Sequence, residues 1–191
     1  MILHGGCQTK KNKVAFKLKI MKHSFFLVVG LFLLTTLPAC AQHGGAAKSQ
    51  LTWYTNLGEA QKVSNAKKKP IFAFFTGSDW CGWCTKLHND VLNKPAFIEW
   101  AKKNVVLLEL DFPRRKQLSP ELAQQNNELQ QTFKIQGYPT VWFFYLNDDA
   151  VTKKKNISPL GSLGYPQGAE VGKEEVKFLK DANAIIANKK S

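Results

Sequence analysis

The sequence predicts an α/β protein, a central mixed β-sheet flanked by helices, and three observations carry that prediction. Short apolar runs alternate along the chain with stretches of helical period. Two of the runs, 71–75 and 105–110, are joined through helices as a βαβ unit. A third run, 140–146, is followed by Asn147-Asp148-Asp149, a turn that returns the chain antiparallel. There is no internal repeat and no low-complexity block.

Residues 57–68 form the first predicted helix, with lysines at its end where cations suit the helix dipole. Pro70 precedes the strand 71–75, whose Ile, Ala and Phe residues read as buried. Helix follows over 85–92 and again over 95–103, where Phe97, Ile98 and Trp100 offer an apolar face. Residues 105–110 are rich in Val and Leu with little alternation, as in a central parallel strand covered on both faces. Ser119 and Pro120 are the N-cap and first turn of a helix running to about residue 133.

The third strand, 140–146, leads through the Asn-Asp-Asp turn to a partner strand over 151–157, whose lysines discourage further pairing at the sheet margin. Residues 158–172, rich in Gly and Pro, read as loop. The chain closes with an amphipathic helix over 174–188, with Val176, Leu179, Ala182, Ile185 and Ile186 inward.

The N-terminus reads as a targeting segment. Lys17, Lys19 and Lys22 precede the apolar run 25–34, which is shorter than the roughly 20 residues of a membrane-spanning helix but fits the apolar core of a signal peptide. Ala39-Cys40-Ala41 offers a small-x-small cleavage site before Gln42. Leu37-Pro38-Ala39-Cys40 is also similar to a lipoprotein box with Cys40 as the lipidated residue, although Pro38 departs from the small residue usual there. Soluble export is the preferred reading and a lipid anchor at Cys40 the alternative. Met21 is a candidate start, which would leave 1–20, including Cys7, without function. The predicted organisation is therefore extension and signal peptide over 1–41, linker over 42–50 and one domain over 51–191.

Loss of 1–41 leaves 150 residues, enough to bury a core without disulfide staples, and lowers the formal charge from +13 to +7. The remaining basic clusters, Lys67-Lys68-Lys69, Lys102-Lys103, Arg114-Arg115-Lys116 and Lys153-Lys154-Lys155, have no nucleic-acid motif beside them and read as solvated surface. The expected particle is a monomer with no nucleic-acid partner, touching a membrane only through a lipid anchor.

Chemistry concentrates at Trp80-Cys81-Gly82-Trp83-Cys84. Thiols at i and i+3 can close a small reversible disulfide, and this pair opens a helix. The free N–H groups and the positive dipole end there favour a thiolate. Cys81 is the candidate nucleophile. Cys84, one turn in and more shielded, is the candidate resolving thiol. A zinc reading needs about four ligands, and the remaining cysteines, Cys7 and Cys40, lie in the targeting segment. An exported domain holding one C-x-x-C and no structural disulfide suits exchange rather than stapling.

A second element, Gly137-Tyr138-Pro139-Thr140, stands just before the third strand. With Trp80-Cys81-x-x-Cys84 it makes residues 51–188 resemble the thioredoxin superfamily. The likeness extends to exported bacterial thioredoxin-like proteins such as the C-terminal thioredoxin-like domain of the thiol-reducing membrane transporter DsbD. The resemblance implies a thioredoxin fold with a cis Pro139 loop facing the cysteine pair, Tyr138 offering its backbone to an extended substrate, and Trp80 as the aromatic flank of the nucleophile. It implies no organic cofactor and no metal.

Departures from the family pattern are informative. The buried acid found in many thioredoxins six positions before the first cysteine is Phe75 here, so the usual proton relay is missing. His88, four residues after Cys84, is a candidate for proton transfer near neutrality, and Asp79 is a second, although its first reading is a helix cap or a water-facing charge; Asp90 and Glu109 read as surface charge or strand-end partners. Trp83 stands where strong oxidants carry histidine, which points to a more reducing pair, and Gly82 and Trp83 are candidate substrate-facing residues. The predicted function is an exported, periplasmic or envelope thiol–disulfide oxidoreductase that reduces disulfides in exported proteins, regenerated by a membrane or envelope thiol reductant. A disulfide oxidase or isomerase on the same fold, and a non-catalytic thioredoxin-like binding protein, are the alternatives.

Overall fold

In a computed structural model, residues 51–149 and 154–188 are described; the apolar leader, Cys7, Cys40 and the linker 42–50 lie outside the described residues. Five strands form one sheet in the order β1-β3-β2-β4-β5. Its centre is the predicted βαβ unit: β2 (Ile71–Thr76) and β3 (Val106–Asp111) run parallel, with Phe74 opposite Glu109. On one side β3 also pairs with β1 (Trp53–Tyr54), a two-residue strand too short to announce itself in sequence. On the other, β4 (Thr140–Asp148) runs antiparallel to β2 and then to β5 (Lys155–Leu163).

Helices cover both faces, which is why every residue of β2 is buried. On one face α1 (Leu57–Lys67) and α4 (Pro120–Thr132) pack through Ala60 and Leu129 against Ile71, Ala73, Phe75, Leu108 and Leu110. The other face carries Phe72, Phe74, Leu107, Val141 and Phe143. Over it lie α2 (Gly82–Leu87) with a following π-helical turn, His88–Leu92, then α3 (Pro95–Asn104) and α5 (Glu174–Ala187). Cys81 and Cys84 belong to this second cluster. This is a thioredoxin fold.

Local signals explain the helix starts. Asn56 accepts the Glu59 N–H at 3.1 Å and Ser119 the Leu122 N–H at 3.3 Å, each satisfying a donor that a first turn leaves free. The active-site helix starts at Gly82, earlier than the sequence suggests, because Cys81 itself stands at the N-cap. Its π-helical turn inserts one residue, so that Leu87, Val91 and Leu92 all reach the core.

Two expectations are corrected. The hairpin is longer than predicted: β4 continues through Asn147 and Asp148, and β5 runs to Leu163, so that 158–163 is strand rather than loop. Pro159 is tolerated because, among the described residues, β5 has no outer neighbour that needs its missing N–H. Gly161 is needed beneath α5, where a Cβ would stand 3.2 Å from Ile185. In α5, Val176 is 63% exposed rather than inward, and Phe178, at 1%, is the buried anchor beside Ala182. Leu179, Ile185 and Ile186 pack partly against the core.

Candidate active site

The site lies where β2 ends and α2 begins. Cys81 and Cys84 are joined by a disulfide, with Cα atoms 5.3 Å apart. Both cysteines are buried, Cys84 at 2% exposure more completely than Cys81 at 8%, so the first of the pair is the less shielded. The Cys81 sulfur accepts the Cys84 N–H at 3.1 Å, and α2 places its positive end behind it. Once the disulfide opens, both features favour a thiolate at Cys81.

The approach segment Gly77–Trp80 is tied to the loop after β3. The Ser78 N–H and hydroxyl donate to the two carboxylate oxygens of Asp111 at 2.8 and 2.7 Å. Burial alone would push the Asp111 carboxyl up; the Lys116 ammonium and the two Ser78 donors outweigh it and hold it below the usual range. In the other direction, the Asp79 carboxylate accepts the N–H groups of Arg114 (3.0 Å) and Arg115 (2.7 Å), which hold it low as well. Asp79 therefore neither caps the helix nor is free to carry a proton. It fastens one loop to the other.

Trp80 completes the tie. Its indole N–H donates to the Phe112 carbonyl at 2.8 Å, the Arg114 guanidinium lies 3.9 Å from its ring, and the ring meets Tyr138 edge-on at 5.6 Å. This fold-back requires glycine at position 77, where a Cβ would come within 2.4 Å of the Trp80 ring. Arg114 and Lys116, read from sequence as solvated surface, are thus part of the site's support.

The Tyr138–Pro139 peptide is cis. Tyr138 packs between Trp80 and Phe112, and its hydroxyl accepts from Gln130 Nε2 at 2.6 Å. Pro139 lines a groove of about 370 Å³ together with Trp83 and Tyr165. Gly82 is exposed and Trp83 is 54% exposed, so the residues between the cysteines face solvent at the mouth of that groove. The sequence-predicted set Trp80, Cys81, Gly82, Trp83, Cys84, Tyr138 and Pro139 is gathered in one place.

His88 is half-buried. Its ring meets Phe74 at 5.2 Å and Trp53 at 6.5 Å, and burial lowers its pKa, favouring the neutral form. Phe75, at the position where the family's acid was sought, belongs to the cluster on the opposite face from the cysteines. On their own side β2 presents Phe74 and Thr76, and β3 presents Glu109 beside Phe74. Glu109 is a half-buried mid-strand carboxyl rather than surface charge, and burial, followed by the Asp111 charge, pushes its pKa up. Thr76 Oγ1 is buried without a hydrogen-bond partner.

Sequence reasoning missed Asp111, Phe112 and Tyr165. Asp111 was signalled by its position at the carboxyl end of a parallel strand, where open α/β sheets build their sites. Tyr165 was signalled as an aromatic between Gly164 and Pro166 in a surface loop. Among the described residues no group of three or more His, Cys, Asp or Glu side chains is gathered as a metal ion would require.

Residues 57–152 match the family described as thioredoxin-like domain. The chain is 36% identical over 161 residues to the disulfide bond reductase DsbH of Chlamydia pneumoniae, an alignment covering 78% of this chain and 90% of that protein. It is 28% identical over 142 residues to the thioredoxin-related protein DsbJ of the same organism, covering 74% of this chain but 39% of that longer protein. A solved structure described as DsbH oxidoreductase superposes with a TM-score of 0.59 at 28% identity, covering 83% of this chain and 94% of the other.

Proposed function

The chain belongs to the thioredoxin-like domain family, and from that premise we propose that it is an exported protein-disulfide reductase acting through Cys81 and Cys84. The observation that carries the reading is the Cys81–Cys84 disulfide at the head of α2, with the first cysteine less shielded than the second.

In the reductive direction the dithiol form reacts. The Cys81 thiolate attacks one sulfur of a substrate disulfide, forming a mixed disulfide and releasing the other substrate sulfur as a thiolate. Cys84 then gives up its proton, and its thiolate attacks the Cys81 sulfur. This restores the internal disulfide and frees the second substrate thiolate. Two electrons pass to the substrate. With its two protons it leaves as a dithiol, and an external dithiol must reduce the protein again.

Direction rests on two supports. Trp83 supplies no imidazole to stabilise the Cys81 thiolate strongly, unlike the oxidants' histidine, and a relative of 36% identity bears the name disulfide bond reductase. Export rests on the apolar run 25–34 behind Lys17, Lys19 and Lys22. In an oxidising compartment the reductant is then a membrane or envelope thiol donor, the arrangement served by DsbD, whose C-terminal domain this chain resembles. The clients are disulfide-containing exported proteins. Cleavage after Ala41 gives a soluble protein, and lipidation at Cys40 is the tethered variant of the same reading.

A Cys84→Ser variant expressed with its leader should accumulate exported proteins as mixed disulfides on Cys81, identifiable by mass spectrometry, and a Cys81→Ser variant should accumulate none. The purified pair should titrate near the thioredoxin end of the scale, about −270 mV. A value near the oxidants' end, about −120 mV, would overturn the reductase assignment.

A further inference from the structure

Positive charge collects at the end of the sheet farthest from the cysteines. Ile71, which opens β2, pairs with Val106, which opens β3, and the Val106 N–H donates to the Pro70 carbonyl at 3.0 Å. That register sets Lys67, Lys68 and Lys69, where α1 ends, beside Lys102 and Lys103, where α3 ends. The two groups touch where Lys69 Nζ donates to the Lys102 carbonyl at 2.7 Å. A helix C-terminus favours a cation or two, and two such ends abut here. Lys102 pairs with Glu99 at 3.2 Å, whereas Lys67, Lys68 and Lys103 are exposed and meet no carboxylate among the described residues. At the nearby end of the hairpin, Asp148 and Lys155 pair at 2.7 Å and cancel.

The chain enters the fold at the same pole. Leu51 and Thr52 line a hollow of about 310 Å³ with Lys67 and Lys102, and β1 begins opposite Leu107. Cys40 lies eleven residues before Leu51, a reach of at most about 40 Å of extended chain. We propose that these five lysines seat this pole of the molecule on an anionic lipid surface, their ammonium groups meeting the headgroup phosphates. The inference goes beyond the reductase reading and uses none of its sulfur chemistry. Lipid is the occupant because the segment with the apolar run 25–34 joins the fold on this side, and because a charged plane asks for several cations on one face rather than a shaped cleft. Where Cys40 is lipidated, the lysines supply the second signal that one anchor needs for stable attachment. The strand β2, about 17 Å long at its usual rise, separates this pole from the cysteines, which are left facing the aqueous side.

The test uses the chain from Gln42 onward, without lipid, sedimented with vesicles of phosphatidylcholine alone or with about one-third phosphatidylglycerol. Wild-type protein is expected to bind the anionic vesicles only, and to be released at about 1 M salt. Lys68→Gln with Lys103→Gln is expected to weaken that partition by about thirtyfold, each lysine near such a surface being worth about fivefold. Arg114→Gln with Arg115→Gln removes the same charge beside the cysteines and is expected to leave binding within about threefold, since salt screens charges so far from the surface. Glu99→Gln is expected to strengthen binding by about fivefold, a gain that misfolding does not produce. On the vesicles, the reduced Cys81 thiol is expected to be alkylated as fast as in solution. Equal binding to both kinds of vesicle, or to neither, overturns the inference, leaves the lysines to solvent or an acidic protein, and leaves the reductase reading standing. Equal losses in the two double variants overturn it as well, since net charge alone then governs binding. Slowed alkylation on the vesicles overturns the orientation.

Discussion

Glu109 and Gly77 show how single side chains set the conditions at the site. Glu109 faces the cysteine side of the sheet from the middle of β3, and burial favours its neutral form. Its folded pKa is raised, so the folded state binds its proton more tightly than the unfolded chain does. The stability this contributes is complete below about pH 4 and is lost as pH rises through the folded value. Glu109→Gln should therefore melt higher than wild type at pH 8 and nearly with it at pH 4, a comparison that calorimetry makes directly. A constant difference at both values would show that the carboxyl does not titrate in this range. Gly77→Ala puts a methyl group into the Trp80 ring. The expected cost is about 1–3 kcal/mol in urea denaturation, as for other overpacked sites, together with loss of thiol–disulfide oxidoreductase activity as Trp80 leaves Phe112 and Arg114.

Among elements, α5 separates what a periodic pattern reveals from what it hides. Its apolar stripe was legible, since Leu179, Ala182, Ile185 and Ile186 do turn toward the sheet. Val176, however, faces water and Phe178 is the residue that reaches Phe72 and Phe97. A helical stripe gives the facing side to within about one position, and packing decides which residue at its border goes in. Phe178→Ala should cost about 3–5 kcal/mol in denaturant unfolding, as for buried aromatic truncations, and Val176→Ala should stay within about 0.5 kcal/mol as an exposed change. Equal costs would mean that the stripe is placed wrongly. The hairpin teaches the same lesson for strands: Gly and Pro in 158–163 read as loop, while a margin with one neighbour accepts them as strand.

For the whole molecule, the fold and the reactive pair were legible because they rest on local grammar: a short buried run, a cap, two thiols one turn apart and a proline before a strand. The support around them was not, because it is made of pairs distant in sequence. Ser78 to Asp111, Asp79 to Arg115 and Asp90 to Tyr165 are separated by 33, 36 and 75 residues, and nothing in either partner's neighbourhood names the other. His88 looked like a proton carrier by spacing alone, and the sheet beneath it made it a packed ring biased toward its neutral form. Targeting belongs to this scale too. The mass of the mature protein recovered from a bacterial envelope should begin at Gln42, and a diacylglycerol-modified Cys40 would establish the tethered form instead.

The two margins of the sheet differ in sequence but share a consequence. One is β1, only two residues long, and the other carries Pro159 and opens with Lys155. A sheet with long, unguarded margins risks being stitched to other chains through backbone ladders. With both borders blunted, such stitching is discouraged, and the bond left for this molecule to make and undo is the one between Cys81 and Cys84.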